Sequence, residues 1–417
     1  MNKLKGALLF GQSGGPTSVI NSSAAGVFLE ALEHEDCITE IYGAQHGIWG
    51  ILNEVFYDMR KEDTVELLLL KHTPSSALGT VRYKLKPVNV DDTDYRRILE
   101  VFQKYNIRYF FYNGGNDSMD TCNKISKYLQ LADYDCNIIG IPKTIDNDLN
   151  GTDHCPGFGS AAKYVATTIM ELYLDTIVYT TGLITIVEVM GRNAGWLTAA
   201  ASLASLKGPG PDLIYLPEVP FDTDKFINDI REVSQKNNGK VFVVISEGIR
   251  DIDGRYISEY LVSLNRDSFG HAQLGGVATV LGGIVSEALN IKVRPIEFSL
   301  LQRCAAHLAS GRDIEEAFMA GKFAVQKAVE GVTDKLVIFN RLPGKDYKIE
   351  LDLLDVHHAA NAEKKIPLTW ISDNLTGLKQ EFIDYALPLI QGDVQIPLED
   401  GLPRYAKLKK VLVPKKK

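Results

Sequence analysis

Short apolar runs that each stop at a glycine- or proline-marked polar turn, and then give way to helical patterning, recur along most of this chain. Leu4 to Phe10 runs into Gly11-Gln-Ser-Gly-Gly-Pro16, then a helix predicted from about Thr17 to Leu32, with Pro16 suited to its first turn. Arg108 to Tyr112 runs into Asn113-Gly-Gly-Asn-Asp-Ser118, with Ser118 as predicted N-cap of a helix to Leu131. Cys136 to Ile141 stops at Pro142, and helical spacing resumes from Gly159 to Thr176. A second series follows: strands at Leu183–Val189, Asp212–Leu216, Lys240–Ile245 and Ile291–Ile296, with helices at Thr223–Gln235 and Gly275–Leu289 and an alanine-rich one ending at Leu206. Helices over Ser299–Ser310 and Asp313–Glu330 and a strand over Lys335–Leu342 complete the pattern, which loosens from Gly344. Strands alternating with helices over about 340 residues predict an α/β architecture of parallel sheets with right-handed crossovers.

In such folds ligands bind outside the carboxyl ends of the strands, where these turns fall. Glycines between strand and helix let backbone N–H groups approach phosphate at the positive helix end. The first turn is neither G-x-G-x-x-G nor a G-x-x-x-x-G-K-[ST] loop. The third places Lys143, Thr144 and two carboxylates, Asp146 and Asp148, just past Pro142. A base for a hydroxyl, charge for a metal and a cation for phosphate are the groups that phosphoryl transfer needs. Each turn taken alone also fits a tight strand-to-helix connection or a polar surface loop.

Composition removes other function classes. The 417 residues carry a net charge of −8, which gives nucleic-acid binding no electrostatic support. No apolar run reaches the ~18 residues of a membrane span. The five cysteines show no C-x-x-C spacing, which favours a reducing cytoplasm. His357-His358 reads as a surface pair, and Lys407–Lys417 as a basic solvated tail.

Ser13-Gly-Gly15, Leu78-Gly-Thr-Val-Arg82, Gly114-Gly-Asn-Asp-Ser118, Pro142-Lys-Thr-Ile-Asp-Asn-Asp148, Met190-Gly-Arg192 and Ser246-Glu-Gly248 stand in the order and rough spacing of the phosphofructokinases, which the chain resembles over roughly residues 5 to 330. The resemblance implies two parallel-sheet, three-layer domains with the active site between them. A phosphoryl-donor domain is expected over 1–157 plus about 303–345, a fructose 6-phosphate domain over 158–302, and a C-terminal extension over 346–417. The implied reaction phosphorylates the 1-hydroxyl of fructose 6-phosphate with Mg²⁺ as cofactor. Asp146 is implied as the base, with Thr144 beside it and Asp148 supporting metal and phosphate. Met190, Gly191 and Arg192 are implied as sugar-phosphate contacts, and Glu247 as an acceptor for a sugar hydroxyl. Arg294 and Arg303 have the spacing of the family's two 6-phosphate arginines, one of which comes from a neighbouring subunit. A homo-oligomer, dimer or tetramer, is therefore implied.

Two positions bear on the donor. Asp117 stands where ATP-using members have a glycine over which the nucleotide α-phosphate passes. Two unit charges at ~4 Å repel by about 4 kcal/mol at an effective dielectric near 20. Lys143 precedes the Thr-Ile-Asp-Asn-Asp element, where a cation neutralises a pyrophosphate leaving group. Both point to the pyrophosphate-dependent branch, with Gly15, Arg82 and Lys143 as diphosphate contacts and Asp117 and Lys143 acting with Asp146 in catalysis. An ATP-dependent enzyme and a non-catalytic sugar-phosphate-binding regulatory subunit are the alternatives. Several positions depart from the family pattern. Asn116 replaces a usual metal-binding aspartate, so the metal is expected at Asn116 and Asp117, with help from Asp146. Leu183 and Leu300 replace a phosphate-binding arginine and a histidine. Arg82 fits either pyrophosphate or a surface acid.

Overall fold

The computed structural model describes residues 3–260, 276–359 and 363–416. Among these, the strands that position the site form two sheets. The first has seven strands in the order β11-β10-β5-β4-β1-β2-β3, and the second has four in the order β7-β8-β6-β9. The first comprises β1 (Gly6–Gln12), β2 (Ile38–Ala44), β3 (Phe56–Asp58), β4 (Ile107–Gly114), β5 (Asn137–Pro142), β10 (Lys335–Arg341) and β11 (Ile349–Asp355). The second comprises β6 (Leu183–Val189), β7 (Leu213–Tyr215), β8 (Lys240–Ser246) and β9 (Val293–Glu297), all parallel.

The central strands of the first sheet are apolar runs without alternation because both faces are covered. Leu8 and Phe10 of β1 pack with the Ile20–Leu32 and Gly311–Val329 helices, while Ala7 and Leu9 face the Thr93–Tyr105 and Asn116–Leu131 helices. Parallel pairing matches Gln12 to Asn113 and Gly114 to Pro142. The carboxyl ends of β1, β4 and β5 therefore finish level, and their three polar turns meet at one edge. In the second sheet Val189 pairs with Ser246, which brings Met190–Arg192 and Glu247 together in the same way.

Several elements differ from the sequence-based expectation. The first helix begins at Ile20, because the Thr17 hydroxyl accepts from Val19 N (3.2 Å) and Ile20 N (2.9 Å) and turns the chain before it. Pro16 thus precedes the helix. The Asn116–Leu131 helix starts two residues before Ser118, so Ser118 is not its cap. The helix expected over Ser299–Ser310 splits into Leu301–Cys304 and a 3-10 turn at Ala306–Leu308, since Ala305 has ψ 73°. The alanine-rich stretch is helical over Trp196–Ala200 and tightens to 3-10 geometry over Ala201–Lys207. The Gly275 start of the expected Gly275–Leu289 helix lies outside the described residues; the observed helix is Val277–Leu289.

The C-terminal chain is more ordered than its composition suggests. β11 pairs antiparallel with β10 and so joins the first sheet. Trp370, Phe382, Ala386 and Leu389 pack with Phe158 and Trp196 in the core beside the second sheet. The basic tail, expected as solvated, lies along β3: Asp58 N donates to Val411 O and Val413 N to Phe56 O, both at 2.9 Å. Lys409 N and Lys410 N donate to Glu62. An exposed strand edge offers unpaired backbone groups, and the tail caps this one. His357 and His358 are exposed, as the sequence suggests, with ligand atoms of Asp355 and both rings within 4.8 Å of one another.

Candidate active site

The facing strand ends enclose a cleft of about 580 Å³. Gly15, Arg82, Asn116, Asp117, Lys143, Thr144, Asp146, Met190, Arg192, Glu247 and Arg303 all line it, and so does Asp148. Gly191 contributes backbone between Met190 and Arg192. It has φ 150°, and a Cβ there would lie 2.7 Å from Ala194 O, so only glycine fits. Its N–H donates to Glu247 Oε1 at 3.3 Å, which fixes that carboxylate at the end of β8.

On the first-sheet side, Lys143 is buried and its Nζ donates to Gly15 O at 2.7 Å. Burial lowers its pKa to about 8, partly opposed by the nearby Asp146 charge. Arg303 Nη1 lies 2.9 Å from where a Gly15 Cβ would sit, so this arginine reaches the Gly14-Gly15 turn. Burial and the Arg82 charge both lower the Arg303 pKa. Lys143 and Arg303 meet at one glycine turn and Arg82 lines the same cleft, a set of cations of the kind that suits an anion.

Asp146 N donates to Thr144 Oγ1 at 3.1 Å. Burial and the Glu247 charge push the Asp146 carboxyl upward in pKa, while Arg192 and Lys143 pull it down. Asp148 is likewise raised, by burial and then by Asp146. Asn116 Nδ2 donates to Asp148 Oδ2 at 3.0 Å, whereas Asn116 Oδ1 is buried without a hydrogen-bond partner among the described residues. The Arg192 Nε is in the same condition. Asp117 lies in the first turn of the Asn116–Leu131 helix, half-exposed, with Lys84 Nζ 3.9 Å from its Oδ1.

Arg294 does not enter this cleft. It sits on β9, pairs with Asp175 Oδ2 and lies over Tyr179. Among the described residues of one chain it is not part of the cleft lining, and β9 is the outermost strand of its sheet.

Among the lining residues that the sequence motifs do not assign, with Asn193, is Glu363. It forms a bridge with Leu149 and accepts from Asn193 Nδ2 at 2.8 Å. No local motif marks it, since it arrives from the C-terminal chain by tertiary packing.

Behind the 143–148 loop, His154 is buried between Asp153 (2.9 Å from Nδ1) and Glu316 (2.8 Å from Nε2). These two hydrogen bonds raise its pKa to about 9 against the desolvation that lowers it. The folded state therefore binds this proton more tightly than the unfolded chain. The resulting stability is full below about pH 6.5 and fades as pH rises through about 9. His154→Gln is expected to lower the melting temperature more at pH 6 than at pH 9, with about 3 kcal/mol lost at the lower pH. Thermal unfolding at the two pH values checks this, and equal losses at both would contradict it.

A glycine turn carrying cations, a paired-carboxylate loop opposite an arginine, and two sheets meeting end to end now have a known counterpart. The phosphofructokinase family matches residues 7–296. The chain belongs to the phosphofructokinase family. It is 42% identical to the pyrophosphate--fructose 6-phosphate 1-phosphotransferase of Methylococcus capsulatus, over 98% of this chain and 97% of that protein. It is 43% identical to the protein of the same name in Xanthomonas campestris pv. campestris, over 99% and 98%. The crystal structure of the pyrophosphate-dependent phosphofructokinase from Marinobacter aquaeolei superposes with a TM-score of 0.89 at 40% identity, covering 99% of this chain and 98% of that one. These matches span the C-terminal chain as well, and they place this phosphofructokinase in the pyrophosphate-dependent branch of its family.

Proposed function

We propose that this protein catalyses the reversible transfer of a phosphoryl group from pyrophosphate to the 1-hydroxyl of fructose 6-phosphate, giving fructose 1,6-bisphosphate and phosphate, as a step of glycolysis or gluconeogenesis. The observation that carries the reading is the donor side of the cleft. There the buried Lys143 is bonded to the Gly15 carbonyl, and Asp117 stands in the first helical turn where a nucleotide α-phosphate would pass. In the forward direction Asp146 takes the proton of the sugar 1-hydroxyl. That oxygen bonds to the nearer phosphorus as the bridging P–O bond breaks. Lys143, Arg82, Arg303 and the Gly15 backbone hold the phosphate that leaves, in groups already oriented before substrate arrives. Met190, Gly191 and Arg192 orient the sugar phosphate, with the unpartnered Arg192 Nε as a donor for it, and Glu247 accepts from a sugar hydroxyl.

The donor set also fits Mg²⁺. Asn116 Oδ1 is a buried oxygen without a hydrogen-bond partner among the described residues, and Asp148 stands beside it, an all-oxygen pair suited to a hard cation that keeps several waters. The metal would be held by Asn116 and Asp117, as the resemblance implies, with Asp148 bonded to Asn116 in support. When bound, the ion neutralises charge on the phosphoryl oxygens.

The division into a donor domain (1–157 plus about 303–345) and a fructose 6-phosphate domain (158–302) is supported by sheet membership, since β10 joins β1, β4 and β5 while β6 to β9 form their own sheet. A homo-oligomer, dimer or tetramer, is supported by Arg294 on an outermost strand beside the exposed Leu174, Val178 and Tyr179, a face that suits a second copy of this chain. Five unpaired cysteines fit a cytoplasmic enzyme. Among the described residues no helix is long and apolar enough to cross a membrane.

Two experiments follow. Fructose 1,6-bisphosphate and phosphate supplied with Mg²⁺ are expected to yield pyrophosphate, because the donor and product bonds are of similar energy; no pyrophosphate would count against the reading. Because the Lys143 pKa is lowered to about 8, its cation is lost above that pH, and kcat/KM for pyrophosphate is expected to decline there. Lys143→Arg, which stays charged, is expected to remove this alkaline decline. A decline that persists in the variant would exclude Lys143 as its source.

A further inference from the structure

We infer that Tyr385 is a positioning residue for phosphoryl transfer, acting through Asn147 to hold the two carboxylates of the catalytic loop in place. The inference rests on the reading of Asp146 and Asp148 as groups of the reacting site. Asn147 lies between them, fully buried, with φ 53°. Left-handed geometry is unfavourable for a residue with a side chain, although asparagine tolerates it when its amide finds local partners. Reversing the backbone at this one residue sets where both neighbouring carboxylates point.

Of the two partners that hold it, one is eight residues away and the other far along the chain. Asn147 Oδ1 accepts from Cys155 N at 2.9 Å, and Asn147 Nδ2 donates to the Tyr385 hydroxyl at 2.7 Å. That hydroxyl donates its single proton to Asp153 O at 2.7 Å, so it receives the Asn147 amide and also ties down the far end of the loop. Its ring is fixed in turn. Trp196 and Trp370 pack against it with centroids 5.2 and 5.6 Å away. The Arg341 guanidinium lies 4.8 Å from its centre, and Arg341 Nη1 donates to Tyr385 O at 3.0 Å. Tyr385 therefore joins the loop after β5, the end of β10 and the helix after β6 at one point. It lies beyond residue 296, where the family match ends, so none of the motifs of that match includes it.

Tyr385→Phe keeps the ring and removes only the hydroxyl. Per mole of folded enzyme, kcat is expected to fall about 10- to 100-fold while KM for pyrophosphate and fructose 6-phosphate stays within about threefold, since misplacing a reacting group by an ångström costs that much. Asn147→Gly cuts the same link, with a residue that accepts the left-handed conformation, so the double variant is expected to be no slower than the slower single one. Unchanged kcat in Tyr385→Phe, a loss in proportion to unfolding alone, or additive losses in the double variant would overturn the inference. Asp146→Asn, measured alongside, separates the two levels: wild-type turnover in that variant would overturn the catalytic reading itself and the inference with it.

Discussion

Asp146→Asn is expected to lower kcat by about 10²- to 10⁴-fold with little change in either KM. Asparagine keeps the shape of the side chain and removes its ability to take a proton, so binding survives and chemistry does not. The size of the effect follows from how this carboxylate is placed. Burial and the neighbouring Glu247 raise its proton affinity above that of an exposed aspartate, which makes it a better base near neutral pH. Arg192 and Lys143 keep the charged form accessible. Steady-state kinetics with both substrates, together with thermal unfolding to confirm the fold, checks the expectation. A variant within tenfold of wild-type kcat would remove Asp146 from the role of base.

Asp117→Gly is expected to admit ATP, with the ATP-supported kcat/KM rising between about fivefold and several hundredfold and the pyrophosphate-supported rate falling. The range comes from dielectric. Like charges at ~4 Å cost about 1 kcal/mol in water and about 4 kcal/mol at an effective dielectric near 20. A half-exposed carboxylate near Lys84 lies between those limits. Each 1.4 kcal/mol is tenfold in affinity. Initial rates over a range of ATP concentrations, with fructose 6-phosphate saturating, read the gain directly. No gain would mean that Asp117 is not what excludes the nucleotide.

Much of this site is legible in the amino-acid order, for a reason the structure makes plain. The three polar turns after β1, β4 and β5 are marked locally, by apolar runs that stop at glycine or proline. Parallel register then forces local marks into one place, since Gln12 pairs with Asn113 and Gly114 with Pro142. The same holds for Met190–Arg192 and Glu247 in the second sheet. What was not legible depends on contacts between distant parts of the chain. Glu363 and Tyr385 reach the loop after β5 only because the C-terminal chain folds back across it, and nothing in their own neighbourhood announces this. Strand β11 and the tail along β3 went unread for the same reason: their partners are strand edges elsewhere in the sheet. The broken helix after Ser299 shows the limit of helical spacing as a guide, because one residue, Ala305, leaves the helical region and the pattern cannot register it. Arg303, implied at the sugar 6-phosphate, also reaches the Gly15 turn, a placement of a few ångströms that spacing alone does not resolve.

The most direct test of the donor assignment compares pyrophosphate with ATP. Purified protein, fructose 6-phosphate and Mg²⁺ are combined with either donor at equal concentration, and formation of fructose 1,6-bisphosphate is followed. Turnover with pyrophosphate and little or none with ATP is the expected result; turnover with ATP alone would contradict it.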